Sequence, residues 1–135
     1  MVFMNKTIGI GVMLQTPNFT YLLQERDHNT HVSPGRIAPF GGGIENNETV
    51  EECAVRELKE ELDLDIDQNQ LETIGLIESK RSPGLFLHMF LLRGVEKQSL
   101  SLNEGNDIVE LTSEQALENP MVTDFTKNVL KLLNG

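Results

Sequence analysis

The chain has 135 residues, 39% of them hydrophobic, enough to close one core in a single domain and too few to divide between two. Its 21 acidic residues against 11 basic ones leave a net charge of −10, which opposes binding to polymeric nucleic acid, whose phosphates need clustered lysine and arginine. No apolar run is long enough to span a membrane, the first residues lack a secretory pattern, and the single Cys53 permits neither an internal disulfide nor a thiolate zinc site, so the expectation is a cytoplasmic domain in which any metal is held by oxygen.

Residues 7–14 and 19–25 are β-rich runs on either side of the turn-like Gln15-Thr16-Pro17-Asn18 and predict a hairpin. Residues 26–43, where Asp, Asn, His, Ser, Pro and Gly dominate, predict a long functional loop ending in Gly41-Gly42-Gly43. Thr49-Val50-Glu51-Glu52 is a capping box, and Ala54, Val55, Leu58 and Leu62 follow it at helical spacing. Residues 71–79 and 85–93 predict two strands around Ser82-Pro83-Gly84, the second so apolar that it should be central. A short strand over 108–111 leads into a helix capped by Thr112-Ser113-Glu114-Gln115 and stopped by Pro120. From Val122 onward, Phe125, Val129, Leu132 and Leu133 mark an amphipathic C-terminal helix. The whole reads as one α+β unit over 1–135, with helices packed against a mixed sheet.

The acidity is local. Residues 45–67 hold ten carboxylates and only two basic residues, Arg56 and Lys59, a net of −8. At 100° per residue, Glu57, Glu60 and Glu61 share an arc of roughly 100° beside the apolar stripe. Like charges at that spacing cost a few tenths of a kcal/mol each on a helix, so either a cation compensates or the face is simply solvated. Mg²⁺ suits such a face because it takes oxygen ligands and substrate phosphates. The glycines ahead of the helix offer backbone N–H groups to phosphate, and together the two features point to metal-assisted chemistry on a phosphoanhydride.

Other polar residues are weaker candidates. Arg36 and the pair Lys80-Arg81 are placed to meet a substrate phosphate or to offset local acidity. His28, His31 and His88 show no metal spacing and read as structural or exposed, substrate contact by His28 or His31 being the alternative. Cys53 sits beside Glu51 and Glu52, which disfavour a thiolate, and reads as a small buried residue.

Residues 42–64 resemble the Nudix box, G-x5-E-x7-R-E-U-x-E-E-x-G-U with U a bulky aliphatic residue. Gly42, Glu48, Arg56-Glu57-Leu58, Glu60-Glu61 and Leu64 fill its fixed positions, and Asp63 stands where the pattern has its second glycine. Asp can take the left-handed conformation expected there at modest cost, and no metal ligand is lost. Pro39-Phe40-Gly41-Gly42 is similar to the lead-in of that family, and Asn103-Glu104-Gly105-Asn106 to a loop that supplies a further acid in some members.

The resemblance implies an α/β/α sandwich and hydrolysis of a nucleoside diphosphate linked to a group X, with Mg²⁺ or Mn²⁺. By the same resemblance Glu57, Glu60 and Glu61 would be metal ligands, Glu60 or Glu61 would assist the attacking water, and Glu104 would be an outer ligand or base. Arg56 and Glu48 would orient these carboxylates. From their own position and chemistry, apart from the resemblance, Arg36 and Gly41, Gly42 and Gly43 are the candidates to meet the substrate. The substrate would be a small nucleotide, a nucleoside triphosphate first, with nucleotide sugars and ADP-ribose-like compounds as alternatives. A nucleotide-binding module without turnover is a rival reading, weakened by the presence of all three carboxylates. The domain would act as a monomer or a homodimer.

Overall fold

The computed structural model describes residues 6–26, 34–79, 83–102 and 107–135. Glu104, His28, His31, Lys80 and Arg81 lie outside the described residues.

One mixed sheet organises the domain. Strand β1 (Lys6–Gln15) runs parallel to β6 (Leu85–Leu92), which pairs antiparallel with β5 (Leu71–Glu78). The apolar β6 is central, as its sequence requires of a strand covered on both faces. The other edge of β1 is shared. At its C-terminal end Leu14 and Gln15 pair with Leu22 and Tyr21 of β2 (Tyr21–Glu25), while Gly9 to Val12 pair with β4 (Phe40–Gly43). β2 therefore leaves β1 after two residues and continues with β3 (Ile37–Ala38) on one side and β7 (Asp107–Leu111) on the other. The hairpin read from the sequence is present only at its tip, and the gap between β2 and β4 opens a cleft beside β1.

Helix α1 (Val50–Leu62) covers one face, where Cys53, Ala54, Leu58 and Leu62 pack with Ile10, Val12, Leu14, Phe40 and Phe90. On the opposite face α2 (Ser113–Glu118) and α3 (Asp124–Asn134) cover Met13, Tyr21, Leu23, Met89 and Leu91. Alternation along β1 sends even residues to one core and odd residues to the other, giving the α/β/α sandwich.

Both capping boxes form as read. Thr49 and Glu52 satisfy each other's backbone N–H groups at the start of α1, and Thr112 and Gln115 do the same for α2. The stripe on α3 differs from the expected one: Leu132 is 59% exposed, and Leu130 is buried in its place. Thr126, Val129 and Leu130 are the buried residues of α3, so its inward face is rotated by part of a turn from the spacing that started at Val122.

Asp63 ends α1 in the left-handed region at φ 53°, ψ 35°, its N–H bonded to the last-turn carbonyls of Leu58 and Lys59. Lys59 Nζ lies 2.9 Å from Asp63 and 3.2 Å from Asp65, so the helix end is also tied by exposed ion pairs. Such pairs contribute little, whereas the left-handed conformation costs an L-residue about 1–2 kcal/mol, less for Asp. Asp63→Gly is accordingly expected to stabilise the domain by about 0.5–1 kcal/mol, and Asp63→Val to destabilise it by about 1–2 kcal/mol, measured by urea unfolding.

Candidate active site

The chemistry-bearing residues meet where α1 crosses β4. The glycines read as a loop instead form strand β4, in register with Gly9, Ile10 and Gly11 of β1. They therefore do not feed the helix directly, and the first turn of α1 is closed by its own capping box rather than open to phosphate. The glycines serve close approach. A Cβ on Gly42 would overlap the Glu57 carboxylate, and one on Gly41 would overlap the Ile10 carbonyl. Glu57 is thus seated on the bare backbone of β4, its side chain only 13% exposed.

Arg56 organises the carboxylates around it. Its Nε donates to Glu48 Oε2 at 2.6 Å and its Nη2 to Glu48 Oε1 at 3.0 Å, a two-point grip that fixes the guanidinium plane. Nη1 then donates to Glu57 Oε1 at 3.0 Å and to Glu60 Oε2 at 3.1 Å, with Glu45 at 3.5 Å, and Nη2 also donates to the Gly43 carbonyl at 3.1 Å. Cys53, buried beneath, donates its thiol to the same carbonyl at 3.4 Å, and burial first, then the charge of Glu48, pushes that thiol up to about 12. It is a packed group with no nucleophilic character at neutral pH.

The electrostatics follow from this arrangement. The Arg56 hydrogen bonds first, then the Glu45 backbone N–H, which donates to Glu48 Oε1 at 2.9 Å, hold Glu48 down to about 2. Its folded value lies below the ordinary 4.5, so ionised Glu48 stabilises the fold above about pH 4.5 and loses that contribution as the pH falls toward 2. The melting temperature of Glu48→Gln should therefore depend less steeply on pH than that of the wild type between those two values. Glu57 behaves oppositely: burial raises its pKa, and the charge and hydrogen bond of Arg56 only partly offset that.

Glu60, on the outer side, is 58% exposed, and Glu61 has its Oε2 buried. The donor set is wholly oxygen and fits a hard divalent cation in kind. As placed, no group of three His, Cys, Asp or Glu among the described residues is close enough to enclose an ion, and Arg56 Nη1 already bridges Glu57 and Glu60. An ion there would compete with Arg56 for the Glu60 carboxylate, which is exposed enough to turn.

Beside β4 lies a cleft of about 340 Å³, lined by residues of β1, β2, β4, β6 and α3. Gly41 and Gly43 contribute its backbone wall, Leu87, Met89 and Phe125 its apolar part, and Gln24 and Arg26 its polar groups. The sequence reading missed Gln24, Arg26, Met89 and Phe125, whose convergence depends on β2 leaving β1. Arg36 is not part of this lining; its Nη2 reaches the Val122 carbonyl at 3.5 Å. His88, read as structural or exposed, is half-buried, stacks on Phe90 at 4.4 Å and shares a hydrogen bond with Thr73 at 3.0 Å. Burial lowers its pKa. No helix among the described residues is long and apolar enough to cross a membrane.

Comparison with known proteins bears on the family and the fold. The family model described as the NUDIX domain matches residues 5–133. The m7GpppN-mRNA hydrolase NUDT17 of Homo sapiens is 38% identical over 80 residues, and that of Bos taurus 36% over 80. Each alignment covers 58% of this chain, but only 24% of the human protein and 26% of the bovine one. The crystal structure of the MutT protein from Methanosarcina mazei Go1 superposes with a TM-score of 0.80 at 15% identity, covering 99% of this chain and 96% of that one, a likeness of fold.

Proposed function

Because the chain belongs to the Nudix family, we propose that it is a metal-dependent pyrophosphohydrolase that cleaves the diphosphate of a small nucleoside diphosphate linked to X, with a nucleoside triphosphate as its first candidate substrate. The observation that carries this reading is the seating of Glu57 on Gly42, with Arg56 holding Glu57 and Glu60 from one side while gripping Glu48 from the other.

Glu57, Glu60 and Glu61 are the residues that would hold Mg²⁺ or Mn²⁺. When bound, the ion would neutralise phosphate oxygens and ease deprotonation of water. The protein's own part is orientation and proton transfer. Water adds to one phosphorus as the bridging P–O bond breaks, and the released proton passes to a carboxylate of the Glu60–Glu61 pair. Glu104, outside the described residues, is a further acid for this step. Arg56 and Glu48 act through the carboxylates they orient, so their loss changes metal affinity as well as rate. The apolar cleft receives the base or X, excluding water from one flank of the anhydride.

A second reading follows from the printed name of the NUDT17 relatives: a capped 5′–5′ dinucleotide as substrate, its second nucleoside lying outside the cleft. The deciding experiment measures phosphate and pyrophosphate release from nucleoside triphosphates, nucleotide sugars, ADP-ribose and a methylated cap analogue, with Mg²⁺, Mn²⁺ or EDTA. Metal-dependent release from any class is expected and identifies X. No release from all of them, with saturable nucleotide binding retained, would replace the hydrolase with a binding module.

A further inference from the structure

Gly9 and Gly11 stand two residues apart on β1 and therefore share the face that carries Met13, the face covered by α3. Their partners on the parallel β6 are Leu87 and Met89. Two missing side chains in the middle of a central strand leave a trough, and the end of Met89 lies across it: a Cβ built on Gly11 would stand 2.7 Å from both Met89 Sδ and Cε. Met89 is fully buried and packs with Met13, Leu91 and Val129 in the α3-side core, yet it also lines the cleft. Its thioether is thus the boundary between sealed core and open cleft.

We infer that Met89, resting on Gly11, is the adjustable floor of the cleft and sets the size of the nucleobase admitted beside β4. The occupant is argued from continuity. Gly42 is pressed on Glu57, and Gly41, Gly42 and Gly43 of the same strand line the cleft, so a nucleotide whose phosphates meet Glu57 lies beside the strand that walls the cleft. Leu87, Met89 and Phe125 offer apolar and polarisable contact to a flat ring, and Gln24 and Arg26 offer hydrogen bonds to its edge. The inference rests on the hydrolase reading only for the placement of the phosphates.

Opposite changes at the two positions have opposite consequences. Alanine at Gly11 must move the flexible end of Met89, and because the core closes the other directions, that end moves into the cleft. Gly11→Ala should then lower the ratio of purine to pyrimidine triphosphate kcat/KM by about tenfold or more, the scale of a methyl-sized change in an apolar pocket. Met89→Ala should raise the relative kcat/KM for purines carrying a bulky substituent at C8 or N6 by a similar factor. Met89→Leu conserves volume and serves if either variant is poorly folded.

A second readout is independent of turnover: in protein labelled with ¹³C-methyl methionine, without metal, titration with AMP and UMP should shift the Met89 methyl signal, assigned by its loss in Met89→Leu, through the ring current of the stacked base. Ratios unchanged within twofold in every folded variant, or a Met89 methyl signal unmoved at saturating AMP, would overturn the inference. Wild-type protein that shifts this signal with AMP yet hydrolyses nothing would instead refute the hydrolase reading and leave the cleft assignment standing.

Discussion

Glu61→Gln and Glu57→Gln are each expected to lower metal-dependent kcat by more than the roughly 10–100-fold that losing an outer partner of a metal site costs, because on the proposed reading each would remove a charge from the set that holds the ion. The substitution is nearly isosteric. Glu57 keeps an amide oxygen able to accept from Arg56 Nη1 and no longer buries a charge that its surroundings already disfavour, so the urea midpoint should move little. Glu51, also acidic but in the first turn of α1 and away from Arg56, supplies the comparison. If Glu51→Gln reduced turnover as much as Glu61→Gln, general acidity would explain the effect and the assigned carboxylates would not. A direct titration with Mn²⁺ should show weakened binding in Glu57→Gln, and unchanged affinity in that variant would remove it from the ligand set.

Gly42→Ala is expected to have a comparable effect through a single added carbon. That carbon would occupy the space of the Glu57 carboxylate, and the clash is with a group that Arg56 also holds. Glu57 would have to leave its seat, taking a negative charge from the site and disturbing the Arg56 contacts with Glu48 and Glu60. We expect Mn²⁺ affinity and kcat each to fall by about 10–100-fold, with destabilisation of about 1–3 kcal/mol from the overpacked contact. Gly43→Ala is the structural control: its added carbon meets nothing nearer than the Ile8 carbonyl at 3.8 Å, so its melting temperature should stay close to that of the wild type. Equal metal affinity in Gly42→Ala and wild type would show that the berth on β4 does not position Glu57.

Much of this molecule is legible from local sequence because the deciding interactions are local. Helix α1 begins where Thr49 and Glu52 satisfy each other, and its carboxylate arc follows from a fixed 100° step. The R-E-U-x-E-E run brings Glu57 and Glu60 within about one turn of Arg56, so the Arg56–Glu60 contact is an i, i+4 consequence of spacing. Asp63 takes its left-handed place because a helix end needs it, whichever residue supplies it.

The sequence by itself determined the three helices and the longer strands, the acidic face of α1 and the family to which that face belongs, and through that family the sandwich. Only the tertiary structure decided that Gly41–Gly43 are a strand, since glycine has weak strand preference of its own and pairs here because β1 offers a free edge once β2 has left it. The same departure decided the cleft, joining Gln24, Met89 and Phe125 from three elements distant in sequence. Helical spacing fixes angles within one helix, but it carries no information about which backbone a side chain will press against. That Glu57 would rest on Gly42, fifteen residues away in the chain, was settled by packing between α1 and β4.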